Sequence, residues 1–453
     1  MYTISNKLKT FSIALIILGL LGVGYGFMTS HKSFEDVETM LAQESSHGGG
    51  HAEEATHETA SQDVVASEDH AQESHGEESH VDAHKEHVEH VQHQIANRPW
   101  SALYVAAFFF FMIALGVLAF YAIQFASQAG WSPVLFRVME GITAYVLPGG
   151  LIVLAIAIAS GTIGHYNIFI WMDPDVVAHD KLLQGKAGWL NIGWFAVRGL
   201  IFIAGWSIYR FFARKFTIAQ DKSDDNSNFK KTFRISAAFL VFFIYTESIM
   251  SWDWIMSVDP HWFSTLFGWY VFAGMAVSGI TVIAFISLYL KSRGYLEVVN
   301  DSHIHDLAKF MFGFSIFWAY LWFSQFMLIW YANIPEEVTY FVTRIEDYNG
   351  LFFGMLALNL VFPFLVLMNS DYKRIPWFVV MAGIVILVGH YIDVYVMIMP
   401  ATVGDRWAFG IPEISSIMLF AGLFLFIVFT ALTKAPLVVK RNPFLKESEN
   451  FHY

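Results

Sequence analysis

Three carboxylates, Glu247, Asp253 and Asp259, lie in a largely apolar stretch, TESIMSWDWIMSVDPHWFST, which runs from Thr246 to Thr265. Glu247 and Asp253 fall in the outer half of a predicted membrane helix, where a charge costs at least about 2.5–3.5 kcal/mol. A carboxyl group in low-dielectric surroundings can exchange protons near neutral pH. An outer-loop motif follows this helix and consists of Asp259, His261 and Trp262. This stretch is therefore the first candidate for a functional site.

Other polar residues lie inside or at the ends of predicted membrane helices. His390 and Asp393 are three residues apart and share one helix face. That spacing suits a histidine oriented by a carboxylate, as in a proton relay or a quinol site, although a hydrogen-bonded core histidine would look the same. Arg198 is predicted near the midplane of the membrane, and Glu247 on the next helix is its leading candidate for an ion pair. Such a pair could take part in proton transfer or could be a structural salt bridge. The remaining candidates for a proton pathway or a quinol-facing cluster are His165, Gln325 and Glu140.

The composition identifies the class of protein. Hydrophobic residues make up 56% of the 453 residues, while charged residues make up 15%, against about 25% in a typical globular protein. Apolar runs long enough to cross a membrane recur along the chain. The net charge of −12 depends on thirteen carboxylates between Glu44 and Glu89, and it implies no nucleic-acid binding. The sequence predicts a polytopic α-helical membrane protein.

Residue types also limit the cofactors. The chain has no cysteine, which excludes disulfides, thiolate-held iron–sulfur clusters and cysteine-attached haem. A haem inside one helix bundle would need two histidines at matching depth, but the predicted helices contain only His390, with His165 at a helix edge. We expect no metal and no cofactor bound by this chain alone, with a bound quinone as the possible exception.

The N-terminal third combines a hydrophobic helix with a polar segment. Residues 1–29 are predicted to form a retained transmembrane anchor, with a cleaved signal peptide as the alternative. Residues 30–100, where ten of the 18 histidines fall between His47 and His93 among many acids, are predicted to be a disordered spacer on the outer face. The spacing of His84, His87 and His90 allows metal binding as an alternative. The part from Val81 to Ile95 could form a short helix against a partner.

Nine further hydrophobic segments of spanning length bring the total to ten transmembrane helices. They are Ser101–Ala126, Gly141–Gly164, Gly188–Ala213, Phe233–Met256, Leu266–Leu290, Leu307–Ala332, Leu351–Asn369, Trp377–Met399 and Ile414–Thr433. Helices 2–5 and 6–9 agree in number and direction, which predicts two four-helix bundles (residues 101–257 and 258–400) flanked by helices 1 and 10. Residues 401–453 then hold the last helix and a tail.

The loop charges predict the orientation. Nineteen Lys and Arg residues fall on the side of the termini and seven on the other, with Arg198 inside a helix. By the positive-inside rule both termini are cytoplasmic, and the histidine-rich spacer is then periplasmic.

The layout and the Trp252–Asp253–Trp254 and Asp259–Thr265 elements resemble the NrfD/PsrC-like membrane subunits over residues 100–433. More narrowly, they resemble the ActF-like subunits of bacterial alternative complex III, a quinol:cytochrome c oxidoreductase of the inner membrane. The resemblance implies a homologous NrfD-like membrane subunit as partner, together with a multihaem cytochrome c, an iron–sulfur protein, a monohaem cytochrome c and possibly a terminal oxidase. In such complexes the quinol site near the iron–sulfur cluster belongs to the sister subunit.

The leading hypothesis is a cofactor-free subunit of a quinol-oxidising respiratory complex. In it, Glu247, Asp253, Arg198, His390 and Asp393 would form one hydrated cluster for protons or quinol. The alternatives are a secondary transporter built on a parallel repeat and a scaffold whose buried charges only hold helices together. A transporter is disfavoured because no pair of helices is interrupted by Gly or Pro at corresponding positions in both halves.

Overall fold

The structure, a computed structural model, describes residues 2–47, 75–163 and 167–452. Within these residues the chain forms helices and no strand, and ten helices are long and apolar enough to cross a membrane. They are α1 Asn6–Ser30, α2 His84–Ala126, α3 Pro133–Thr162, α4 Ile192–Gln220, α5 Ser227–Val258, α6 Phe267–Ser292, α7 Asp301–Ala332, α8 Asn349–Leu367, α9 Pro376–Val403 and α10 Ile411–Leu432. The prediction of an all-α polytopic membrane protein with ten transmembrane helices is confirmed.

The helices pack as two four-helix rings. In the first ring α2 contacts α3 and α5, and α4 closes the ring against α3 and α5. In the second, α6 contacts α7 and α9, and α8 closes the ring in the same way. The rings meet mainly where α2 packs on α6 and α9, while α1 lies along α10, which contacts α2. This is the predicted pair of bundles flanked by the first and last helices.

Two glycines allow the bundles to approach closely. A Cβ atom at Gly116 on α2 would lie 2.1 Å from the carbonyl oxygen of Met275, and one at Gly279 on α6 would lie 2.9 Å from the amide nitrogen of Val117. Only glycine permits such contact between helix backbones. Gly116 on α2 packs against α6, and Gly279 on α6 packs against α2. The first helix of each bundle therefore contributes one glycine to the contact between the bundles.

Both chain termini lie on the same side of the helices. The ring of Tyr2 packs against Tyr295, which follows α6, with 5.1 Å between ring centroids, and it also contacts Phe429 near the end of α10. At the other terminus, the carbonyl of Phe451 accepts a hydrogen bond from Asn300, just before α7. We call this side the terminal face and the opposite side the distal face.

The segment predicted to be a disordered spacer is helical in the parts that the structure describes. A helix spans Phe34–His47, and the helix that contains α2 begins already at His75. The two helices bury a small cluster formed by Val37, Val88 and Val91. The prediction of disorder for 30–100 is therefore wrong in these parts, because a few apolar residues in the polar sequence suffice to join two helices. Residues 48–74 lie outside the described residues.

Helix α7 begins earlier than predicted. The side chain of Asn300 accepts hydrogen bonds from the amides of Ser302 and His303 and caps the helix at Asp301 instead of Leu307. Consequently, two buried histidines, His303 and His305, belong to a helix of spanning length. The expectation that His390 is the only histidine inside these helices was wrong, because it did not recognise the asparagine cap.

Candidate functional site

Glu247 lies at the wall of an apolar cavity between α5 and α6. The cavity has a volume of about 210 Å³. Its other lining residues are Ala119, Ile123, Leu240, Phe243, Ile244, Ser248, Trp269 and Phe272. Ile244 and Trp269 are about half exposed on the outer surface of the helices, so the cavity opens sideways, where lipid would surround the protein. Within it, Glu247 supplies the carboxyl group.

The carboxyl group of Glu247 has only weak polar partners. The residue is 4% exposed. Its carboxylate accepts a hydrogen bond from Ser251 Oγ at 3.1 Å and a long one from Ser248 Oγ at 3.4 Å. Among the described residues no basic side chain forms an ion pair with it. Glu247 therefore keeps capacity to bind the polar end of a ligand in the cavity.

Arg198 pairs with Asp253, so the prediction that it pairs with Glu247 was wrong. The distance from Arg198 Nε to Asp253 Oδ2 is 2.6 Å. Trp189 Nε1 donates to the other oxygen of Asp253 at 2.9 Å, and the guanidinium lies 4.1 Å from the centre of the Trp189 ring. Because α4 begins at Ile192, Arg198 lies close to the distal face, level with Asp253. Glu247 is six residues deeper, about 9 Å along the helix.

The second bundle encloses Asp393. Its carboxylate accepts hydrogen bonds from the hydroxyl of Tyr270 on α6 and from Trp318 Nε1 on α7, the latter at 2.8 Å. His390 Nδ1 lies 3.4 Å from Asp393 Oδ2, as expected for residues on one helix face. However, neither ring nitrogen of this fully buried histidine makes a hydrogen bond within the described structure. A tyrosine and a tryptophan, rather than the histidine, hold the aspartate.

A small cavity connects Asp393 with Gln325 and Arg344. Its volume of about 10 Å³ is roughly enough for one water molecule. Arg344 is 3% exposed and donates to the backbone carbonyls of Tyr340, Val396 and Met397. The sequence analysis counted Arg344 among the seven basic residues on the side opposite the termini and did not predict that it is buried here. The sequence did contain a sign of this burial, because the segment Pro335–Glu346 forms an amphipathic helix whose apolar face packs inward.

Helix α6 separates these groups, so the five charged residues do not form the single cluster that was expected. Gly268 on one side of α6 faces Ser248, next to Glu247, while Gly274 on another side faces His390 and Asp393. Three separate sites result: the Glu247 cavity, the pair of Arg198 and Asp253, and the Asp393 core of the second bundle.

Glu140 belongs to a network of ion pairs and hydrogen bonds at the terminal face. One carboxylate oxygen accepts from Tyr121 and Thr217 at 2.9 and 2.7 Å, and the other from Arg137 at 2.6 Å. Arg137 also binds Asp221 at 2.5 Å. Because every oxygen of Glu140 has a strong partner and the residue is 2% exposed, the arrangement is that of a structural network.

The outer-loop motif builds a surface at the distal face. His261 Nε2 donates to Asp180 at 2.6 Å, the Trp262 ring stacks on Tyr340 at 3.9 Å, and the carbonyl of Asp259 accepts from the Trp262 amide. The hydrogen bond from His261 is the main reason why the pKa of Asp180 lies below its ordinary value of 3.8, and hydrogen bonds from backbone amides contribute less. This pair therefore stabilises the loops at pH values above 3.8 and stops doing so as the pH falls through the lowered pKa.

His165 lies outside the described residues. A partly buried ion pair that the sequence analysis did not consider joins α2 to α10, with Arg98 Nε 2.8 Å from Glu413 Oε1. Among the described residues, no group of three or more His, Asp or Glu side chains is placed to hold a metal ion.

Comparison with protein-family models and with curated proteins gives no match to this chain. The class is therefore defined by the fold alone. The chain is a ten-helix polytopic membrane protein with two four-helix bundles, flanked by the first and the last helix.

Proposed function

We propose that this chain is an integral subunit of a respiratory quinol:cytochrome c oxidoreductase and that its Glu247 cavity takes up the quinol head. The observation that carries the proposal is a laterally open, apolar cavity of about 210 Å³ with one under-bonded carboxylate in its wall. A quinol is an apolar ring with hydroxyl groups that need hydrogen-bond acceptors, and it reaches its site through the lipid.

The chemistry requires an acceptor for protons and an acceptor for electrons. Oxidation of one quinol releases two protons and two electrons and leaves a quinone. Glu247 would accept a hydrogen bond from one quinol hydroxyl and then that hydroxyl's proton, while the second proton would pass to water. The electrons would leave for haem c or iron–sulfur clusters on partner subunits, since the chain lacks the cysteines that hold such centres.

The proposed assembly follows from the resemblance of residues 100–433 to NrfD-like subunits. Its members would be a homologous membrane subunit, a multihaem cytochrome c, an iron–sulfur protein and a monohaem cytochrome c, surrounded by lipid, with a terminal oxidase as an optional further partner. The terminal face would be cytoplasmic, as its excess of Lys and Arg suggests. The distal face, which carries the helix Phe34–His47, would then face the periplasm of a bacterial inner membrane and meet the redox subunits.

A second candidate, a scaffold without a quinol or proton role, is favoured by the paired charges. Glu140, Asp253 and Glu413 all have arginine partners. Among the buried carboxylates of the described residues, Glu247 and Asp393 are left without a contacting arginine. The two candidates therefore differ in what they require of Glu247.

Replacement of Glu247 by glutamine tests the proposed site. The amide keeps the size of the side chain but cannot accept a proton, so we expect quinol oxidation by the purified complex to fall about a hundredfold while the complex stays assembled. Steady-state reduction of cytochrome c by a soluble quinol measures this. The control is Glu336→Gln, which changes an exposed carboxylate near the distal face. Equal activity of both variants and the wild type would favour the scaffold.

A further inference from the structure

Two arginines near the terminal end of α4 contact no carboxylate. Arg210 and Arg214 lie one helical turn apart, and both are partly buried. Arg210 donates from Nε to Thr143 Oγ1 at 3.3 Å, and Arg214 donates from Nη2 to the carbonyl of Ala431 at 3.2 Å. Among the described residues neither arginine forms an ion pair, whereas Arg137 nearby forms two. The proposed function gives Arg210 and Arg214 no role.

The remaining guanidinium nitrogens of this pair are both unbonded and accessible. Nη1 and Nη2 of Arg210, and Nε and Nη1 of Arg214, make no hydrogen bond in the described structure, and none of these four atoms is enclosed by protein. Guanidinium groups present their donors as a planar fork, which matches the oxygens of a phosphate or a carboxylate. Four such donors on adjacent turns of one helix can therefore receive an anion directly.

The local charges leave a positive excess for that anion. Glu140 and Asp221 are the carboxylates of the neighbouring network, and both contact Arg137. Three arginines thus accompany two carboxylates, so that one positive charge is left over even when both carboxylates are counted in full. The excess continues along the chain, because residues 210–234 contain seven basic and three acidic side chains.

The arginine pair lies at the level of lipid headgroups. Arg210 is 18 residues from the start of α4 at Ile192, about 27 Å along the helix, and Arg214 is one turn further. The hydrocarbon layer of a membrane is about 30 Å thick. The guanidinium groups therefore reach the boundary at which the lipids on the side of the terminal face carry their phosphates.

A shallow apolar groove leads from the arginine pair toward the middle of the membrane. Helices α4 and α10 both pack on α3 but not closely on each other, so the surface of α3 between them forms the floor of the groove. Leu147, one turn after Thr143 on the same face of α3, is 46% exposed, and Leu151, another turn on, is 42% exposed. An acyl chain that follows α3 would cover both leucines.

We infer that Arg210 and Arg214 bind the phosphate of an anionic glycerophospholipid on the side of the terminal face. The phosphate oxygens accept hydrogen bonds from the unbonded guanidinium nitrogens, and one acyl chain lies along Leu147 and Leu151. A zwitterionic lipid binds less well, because its ammonium group meets the positive excess. The inference does not depend on the proposed function, since it concerns other residues than Glu247 and another ligand.

Lipid retention by the protein as it is purified, with any partners attached, tests this inference. The probe is phosphatidylglycerol at increasing mole fraction in nanodiscs of phosphatidylcholine, and native mass spectrometry counts the lipids that the released protein keeps. The wild type should keep one phosphatidylglycerol. Arg210→Gln should raise the mole fraction for half occupancy about tenfold or more, as expected for loss of hydrogen bonds between charged groups. Arg210→Lys, which keeps the charge but loses the fork, should raise it less.

The matched control is Lys215→Gln, which removes an exposed positive charge next to Arg214 and should retain the lipid like the wild type. A loss in Lys215→Gln as large as in Arg210→Gln would indicate general attraction to the basic surface and would overturn the inference. Equal retention in every variant, or retention of phosphatidylcholine as strong as that of phosphatidylglycerol, would also overturn it.

Arg210→Gln should fold, because the only hydrogen bond that it removes within the described structure is the long one to Thr143. The melting temperature checks this, and Arg214→Gln gives a second, independent variant with the same expected loss of lipid. Quinol oxidation by the same preparations is assayed separately, so failure of the lipid site is distinguishable from failure of the Glu247 site.

Discussion

Replacement of Glu140 by alanine is expected to destabilise the protein by about 3–5 kcal/mol, because it breaks a buried ion pair and leaves Arg137 with one carboxylate partner fewer. Tyr121 and Thr217 would also lose the oxygen to which both now donate. The melting temperature of the detergent-solubilised protein, followed by tryptophan fluorescence, measures the loss. We expect little folded protein at the growth temperature.

A second measurement separates a structural role of Glu140 from the proton pathway that the sequence suggested. Glu140→Gln retains an oxygen acceptor and should yield more folded protein than the alanine variant. Per folded complex, its quinol oxidation should equal that of the wild type. A stable glutamine variant with slow quinol oxidation would instead place Glu140 on a proton route.

Replacement of Asp393 by alanine should also be severe. The hydroxyl of Tyr270 and the indole N–H of Trp318 both donate to this carboxylate, and hydrogen bonds to a charged group contribute about 1.5–3 kcal/mol each. Loss of both predicts a destabilisation of about 3 kcal/mol or more, measured again as a shift of the melting temperature. The remaining charge of Arg344, which lines the same small cavity, would add to the effect.

His390→Leu is the matched control, because it lies one helical turn away on the same face. Its ring nitrogens make no hydrogen bonds in the described structure, so a leucine of similar volume should keep or slightly raise the melting temperature. If the leucine variant unfolds as readily as Asp393→Ala, the His390 ring makes a stabilising hydrogen bond that the structure does not show. If it folds but loses quinol oxidation, His390 takes part in proton transfer.

The sequence was sufficient for the number of membrane helices and their grouping into bundles. Segment length and apolar content determine the number, since each helix must satisfy its own backbone hydrogen bonds in lipid. The grouping followed from the equal number and direction of helices 2–5 and 6–9. The spacing of His390 and Asp393 also placed them correctly on one face. Such properties depend on local sequence alone, and for this reason they could be predicted.

Pairing between helices could not be read from the sequence, because it depends on exact depth. A shift of four residues at the start of α4, from Gly188 to Ile192, moved Arg198 away from Glu247 and beside Asp253. The cap at Asn300 added His303 to a membrane helix, and the apolar face of Pro335–Glu346 buried Arg344. Each error came from a helix end or a short connecting helix, where a single side-chain hydrogen bond determines the boundary.

The central claim is that this chain works inside a quinol-oxidising complex, and purification in mild detergent with a visible spectrum tests it. We expect c-type haem to co-purify with the chain in a fixed ratio and to become reduced when a quinol is added. The chain itself lacks the cysteines to hold such haem, so the band would report partner subunits. A chain that purifies alone without any haem band, in a detergent that preserves other respiratory complexes, would contradict the account.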